Sequence, residues 1–272
     1  MKVFRNTTEI TKRDRMGRRL SMTGLVILFI GLLASFVPTW YPIGTTAESE
    51  LGRFLQSYWA IVSFAALPLG FLAASFGSYY ITRYARRRWP GSNSIARPDE
   101  LLERSLKGFD DKYSLFVFSL PIGYALLTPT SLLTIALRSD KGRVRVQGDK
   151  WRESWGIGRI LTLFAREGVG HPPTELADHE RKLRDFLAKA PAANGVNLAE
   201  MPIEGAVVFL NSESQLDLQN PSVPVLRADQ LKDYVRKRAR EGKPNPALMR
   251  AATEYLQSHN AANAAVPEPA AG

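Results

Sequence analysis

Cysteine is absent from this chain and histidine nearly so. Without cysteine there can be no disulfide, no thiolate metal ligand and no cysteine nucleophile. The three histidines are His171, His179 and His259, and no carboxylate spacing around them forms a zinc motif. We therefore expect each histidine to be solvated or to cap a helix, and we expect no histidine metal site.

Charge is missing from two long stretches, residues 20–47 and 54–82, which contain no Asp, Glu, Lys or Arg. Each stretch could cross a bilayer, because a helix needs only about 20 mostly apolar residues to span the hydrocarbon layer. The short link between them is too small for a domain. The sequence therefore predicts a transmembrane hairpin over residues 20–82, with spans at about 20–41 and 57–80.

The residues that flank these stretches predict their orientation. Seven basic residues precede the first stretch and four arginines follow the second, whereas the link contains a single arginine. Positive charge is retained on the cytoplasmic side, so both termini are expected in the cytoplasm. Trp40, Tyr41, Tyr58 and Trp59 lie at the opposite ends of the two stretches, where interfacial aromatic residues are typical. The pattern predicts a multi-pass protein of the cell (inner) membrane.

Two other interpretations of the apolar stretches remain open. The first stretch could be a signal peptide, although it is long for one and no A-x-A-like cleavage site follows it closely. Either stretch could also be a buried helix of a soluble protein. Small residues four apart in the second stretch allow close helix approach; they are Ala66, Gly70 and Ala74, with Ala73 and Gly77. They favour packing of the hairpin on itself over a dimer interface.

The formal net charge of +10 is concentrated around the hairpin. Only +2 of it remains for residues 89–272. The basicity therefore indicates membrane topology and attraction to anionic lipid headgroups, and it argues against a DNA-binding face.

Outside the hairpin, the sequence predicts an α/β domain. Residues 1–19 are expected to be a basic cytoplasmic arm, amphipathic or disordered, and 83–96 a linker. Helices are expected at 98–107, 156–166, 174–189, 229–240 and 246–258, and strands at 113–120, 124–127, 132–137, 144–147, 205–210 and 223–226. The domain is assigned to residues 97–240, and residues 241–272 to a final helix and a disordered tail.

Two segments of this domain carry a resemblance to a known family. The segment 128–142 (TPTSLLTIALRSDKG) and the segment 205–211 (GAVVFLN) with the short strand after it resemble the central hairpin and the late strand of nuclease-related (NERD) domains. These domains belong to the PD-(D/E)xK restriction-endonuclease-like superfamily. The resemblance implies a central mixed sheet flanked by helices.

It also implies where a metal-dependent nuclease site would lie. The superfamily holds Mg²⁺ with a helix Glu, a strand Asp and a second-strand Glu, and a Lys two residues on steadies the developing charge. The matching positions here are Glu100 (or Glu103), Gly123, Ala136 and Arg138. Two of the three carboxylates are missing, so we expect no catalytic site, no bound metal and no cofactor.

Each remaining polar position has a structural interpretation. Glu100 would be a first-turn acid on a solvated helix face, and Arg138 a surface cation at a strand end or, alternatively, an anion-binding group. Asp140-Lys141 and Asp149-Lys150 fit ordinary turns.

The sequence thus favours a membrane-anchored, inactive NERD-like protein that acts as a binding or scaffold module, with protein, lipid or nucleic acid as partner. The alternatives are a membrane-tethered Mg²⁺-dependent nuclease with a non-standard site, and a hairpin that forms a homo-oligomer.

Overall fold

A computed structural model describes residues 1–42, 49–84, 97–139, 142–153, 170–191 and 196–264. Most of the expected linker, the helix expected at 156–166, the Asp140-Lys141 turn and the end of the expected tail lie outside these residues. The described residues form two compact units. One combines residues 1–10 with those from 97 onward, and the other comprises residues 11–84.

The second unit consists of two long apolar helices. Helix α1 spans Thr7–Ser35, a short helix α2 follows at Val37–Trp40, and α3 spans Glu50–Tyr84. Asn6 caps α1, because its side-chain oxygen accepts a hydrogen bond from the backbone N–H of Glu9 at 2.9 Å. By length and composition, Thr7–Trp40 and Glu50–Ile81 could each cross a membrane.

Glycines on α1 bring its backbone against that of α3. Gly17, Gly24 and Gly31 are seven residues apart, the spacing typical of a left-handed helix pair. A Cβ atom added to Gly24 would lie 2.3 Å from the backbone nitrogen of Ala74, and one added to Gly77 would lie 2.3 Å from that of Ser21. The small face predicted on α3 therefore packs against α1, as expected for a hairpin that packs on itself.

Most of the large apolar side chains of this unit face outward. In the described part of the chain, 21 large hydrophobic side chains are exposed, and 20 of them lie within residues 16–76. The other is Leu218. A core helix of a soluble protein would bury such side chains, so this surface is typical of helices that face lipid.

The first unit is a mixed α/β domain. Its strands are β1 (Lys2–Arg5), β2 (Ser114–Val117), β3 (Tyr124–Leu127), β4 (Leu132–Arg138), β5 (Arg143–Gln147), β6 (Lys150–Glu153), β7 (Ile203–Phe209), β8 (Gln215–Gln219) and β9 (Val225–Arg227). Its helices are α4 (Pro98–Ser105), α5 (Pro172–Leu187), α6 (Ala228–Glu241) and α7 (Pro246–Ala264), and a 3-10 turn spans Leu198–Glu200.

A six-stranded mixed sheet has the order β1-β2-β3-β4-β7-β9. Strands β2, β3 and β4 form an antiparallel meander, and β7 lies parallel to β4 after the crossover that contains α5. Strand β7 is buried on both faces along its continuous apolar run, from Ala206 through Phe209. The fold class is therefore mixed α/β with a central mixed sheet, as predicted.

Three parts of the domain differ from the sequence prediction. The expected arm at 1–19 instead contains β1, which pairs in parallel with β2, and the beginning of α1. Strand β5 belongs to a separate sheet of order β6-β5-β8, and neither β6 nor β8 was among the expected strands. Helix α7 contributes Leu248, Ala252 and Leu256 to the same hydrophobic core as β2 and β3.

The adjacent alanines of α3 provide a matched test of the helix seam. Ala66 is buried with its Cβ 2.5 Å from the position a Cβ would take on Gly31, whereas Ala65 is exposed. We expect Ala66→Leu to destabilise the hairpin by about 1–3 kcal/mol through overpacking, and Ala65→Leu to have little effect. Thermal unfolding of the detergent-solubilised protein measures both. Equal melting temperatures for the two variants would contradict the seam.

Candidate functional site

The positions that the resemblance aligned with a nuclease site have apolar or ion-paired surroundings. Gly123 immediately precedes β3, and its carbonyl accepts a hydrogen bond from the backbone N–H of Phe118 at 2.8 Å. Ala136 is in the middle of β4, paired in register with Val207, and belongs to an apolar cluster with Val144 and Leu176. Position 136 lies between Thr134 and Arg138 on the same face of β4, and an alanine there offers no side-chain oxygen to a metal ion.

Arg138 is buried, which corrects the expectation of a surface cation at the end of the strand. Its side chain is 3% exposed, and its Nη2 atom donates a hydrogen bond to Oε2 of Glu175 on α5. Its Nη1 atom donates to the carbonyl of Leu137 at 2.9 Å. A buried guanidinium needs an anionic partner, and Glu175 provides it. Glu175 thus balances the charge of Arg138, the residue that the resemblance aligns with the lysine of the nuclease site.

His179 continues this polar network towards β4. Its Nδ1 atom lies 3.0 Å from the hydroxyl oxygen of Thr134, and its Nε2 atom lies 3.8 Å from Oε1 of Glu175. The expectation that His179 would be solvated or capping is therefore wrong. Thr134 is 1% exposed, so its hydroxyl is not accessible to a substrate and serves to orient the imidazole.

The network forms because two polar pairs share facing surfaces. Thr134 and Arg138 are four residues apart on one face of β4, and Glu175 and His179 are four apart on α5. Gly205 on the adjacent strand β7 allows close approach of α5, because a Cβ there would lie 3.2 Å from Leu176.

Burial lowers the pKa of His179, because a half-desolvated imidazole disfavours its charged form. Glu175 and Asp178 oppose this effect, and Lys182 and Arg138 add to it. The imidazole is therefore neutral at physiological pH. His171, in contrast, caps α5, as expected: its Nδ1 accepts a hydrogen bond from the backbone N–H of Thr174 at 3.3 Å.

The acids of α4 are paired with arginines. Asp99 is buried and lies 3.1 Å from Nε of Arg5 and 3.0 Å from Nε of Arg97. Arg5 also pairs with Glu103. Glu100 is in the first turn, as expected, but it accepts from the backbone N–H of Arg97 at 3.3 Å and its side chain is mostly buried, so it is not on a solvated face.

These pairs define what the arrangement can do chemically. The residues the structure describes contain no group of three or more His, Asp or Glu side chains placed to hold a metal ion. The Arg138–Glu175–His179–Thr134 network, which we call the strand–helix network, joins β4 to α5. The roles of Glu175, His179 and Asp99 could not be seen in the sequence pattern alone. For His179 there was one signal: it is a polar residue between Leu176 and Leu183, on the face of α5 that is otherwise apolar.

The contribution of Glu175 to stability can be measured against a second acid on the same helix. Glu175→Gln removes the anionic partner of a buried guanidinium, and we expect the free energy of unfolding to fall by about 2 kcal/mol. This loss is smaller than for a pair in which both side chains are buried, because Glu175 is a third exposed. Glu180 forms an exposed pair with Arg184, so Glu180→Gln should cost less than ~1 kcal/mol. Chemical denaturation followed by near-ultraviolet circular dichroism distinguishes the two variants. A larger loss for Glu180→Gln would contradict the network.

The lowered pKa of His179 makes stability depend on pH. The pKa of the imidazole in the folded state lies below its ordinary value of 6.5. At pH values below about 6.5 the unfolded state therefore binds more protons than the folded state. Stability is therefore full above about pH 6.5 and falls as the pH drops towards the folded pKa. His179→Gln should flatten this slope, whereas the capping variant His171→Asn should retain it. Melting temperatures at pH 5 to 8 test this, and an unchanged slope in His179→Gln would refute the assignment.

No protein-family model matches this chain, and neither a curated protein nor a solved structure matches it. The features that bear on function are therefore those of the chain itself. They are two helices with an exposed apolar surface and an α/β unit whose buried charges are paired with one another.

Proposed function

We propose that this protein is anchored in the cell (inner) membrane by the α1–α3 hairpin and presents its α/β unit in the cytoplasm as a binding or scaffold module. The observation that carries this proposal is the outward exposure of 20 large apolar side chains of the hairpin. Water would make that surface costly, and lipid would not. The arginines on either side of the two helices favour a cytoplasmic location for both termini.

The α/β unit is proposed to be a NERD-like domain without catalytic residues. The succession of α4, the β2–β3–β4 meander, α5 and the parallel strand β7 is the order that the resemblance implies. Gly123 immediately precedes β3, and β3 pairs with β4, the strand that contains Ala136. These are the two positions at which the resemblance implies strand carboxylates, and neither has a side-chain oxygen.

The ion pairs of the unit argue against metal-dependent hydrolysis. The arginine aligned with the catalytic lysine is bound to Glu175, and Glu100 is engaged with Arg97. Charges already committed to internal partners are poorly placed to take ligands from water, because each exchange would leave a partly buried group without its partner.

Labelling of single introduced cysteines tests the membrane topology, since the chain has none of its own. Ser49 lies just before α3, and Gln219 is exposed in β8. In intact bacterial spheroplasts, Ser49→Cys should react with a membrane-impermeant maleimide, and Gln219→Cys should react only after lysis. Carbonate should leave the protein in the membrane pellet. Reversed labelling, or extraction by carbonate, would contradict the proposal.

The proposed lack of nuclease activity is tested with the full chain in lipid nanodiscs. The full chain is needed because β1 and α7 belong to the sheet and core of the α/β unit. With Mg²⁺ or Mn²⁺ it should leave DNA and RNA intact. Metal-dependent cleavage that is lost in Glu100→Ala would instead establish the alternative, a membrane-tethered nuclease with a non-standard site.

A further inference from the structure

A cationic surface lies on α1 where the charged part of the helix meets its apolar part. Lys12, Arg15 and Arg19 are exposed and line one shallow cavity together with Met16, Leu20 and Thr23. Their spacing of three and four residues puts them on one helix face, one turn after another. We call these six residues the α1 basic face.

The position of the α1 basic face matches the depth of lipid phosphates. The uncharged run begins at Leu20, and about 21 residues from there to Trp40 give a length of roughly 31 Å at 1.5 Å per residue. That length equals the hydrocarbon thickness of a typical bilayer. If the span fills this layer, Arg19 and the two cations before it lie within the headgroup region.

The cations of this face lie beside apolar side chains. Lys12, Arg15 and Arg19 are exposed, and Met16 and Leu20 line the same shallow cavity. Exposed cations next to an apolar surface complement a phosphate joined to acyl chains.

We propose that the α1 basic face binds the headgroup of an anionic phospholipid, with the phosphate at Lys12, Arg15 and Arg19 and the upper acyl chain beside Leu20 and Thr23. This inference depends on the membrane insertion proposed above and adds the class of lipid and the residues that select it. The favourable free energy comes from charge pairing at the surface, so it weakens as salt screens the charges.

Electron spin resonance of the full chain in phosphatidylcholine vesicles tests the inference with spin-labelled phosphatidylglycerol and phosphatidylcholine as probes. The unmodified protein should prefer the anionic probe several-fold, and 0.5 M NaCl should reduce this preference. The triple variant Lys12→Gln, Arg15→Gln, Arg19→Gln should bind both probes about equally. A control that removes three exposed cations from α5, Arg181→Gln, Lys182→Gln, Arg184→Gln, should keep the preference.

The outcomes separate this inference from the membrane proposal. If all variants stay in the membrane after carbonate but the unmodified protein shows no preference, or the α1 triple variant keeps it, the lipid site is wrong and the anchor stands. If the α5 variant loses the preference equally, the effect is one of net charge and the site is again wrong. Extraction of the unmodified protein by carbonate would overturn both.

Discussion

The close approach of α1 and α3 is the constraint on which the hairpin depends. Where Gly24 meets the backbone of Ala74 and Gly77 meets that of Ser21, even a methyl group would collide with main-chain atoms. Small residues therefore fill the closest part of the seam, and most of the large residues lie on the outer surface. The same packing that brings the helices together thus leaves an apolar exterior on two helices that are long and apolar enough to cross a membrane.

In the α/β unit, arginine–carboxylate pairs join elements that are far apart in the chain. Arg138 with Glu175 links β4 to α5, and Arg5 with Asp99 links β1 to α4. Truncation of one partner is costly where the other is buried. These pairs therefore help to fix the arrangement of the sheet and its helices.

Much of the fold could be predicted because local pattern determines it. The strand at Tyr124–Leu127 was predicted with its observed bounds, and the bounds of α4 and α6 differ by one or two residues. Strand β1 was missed because a basic tetrapeptide has no strand pattern of its own and becomes a strand only by pairing with β2. The sheet to which β5 belongs could not be predicted for the same reason, since its partner β8 comes about 70 residues later in the chain.

The candidate site could be predicted less well than the fold. The absence of carboxylates at Gly123 and Ala136 is visible in the sequence, but the burial of Arg138 follows from the helix that covers it. His179 was visible only as an irregularity in the apolar stripe of α5, and its link to Thr134 spans 45 residues. The small face of α3 was predicted from four-residue spacing, whereas the matching glycines of α1 gain their meaning only when the two helices are paired.

Spin labels in the reconstituted chain can show whether the outward faces of the hairpin contact lipid or water. Cysteines at Phe29 and Phe64, which face outward, can carry the label, with the buried position Ala66 for comparison. The account predicts that labels at 29 and 64 are relaxed by dissolved oxygen but not by a water-soluble nickel chelate, and that a label at 66 is shielded from both. Relaxation of the labels at 29 and 64 by the nickel chelate would show that these faces are in water and would contradict it.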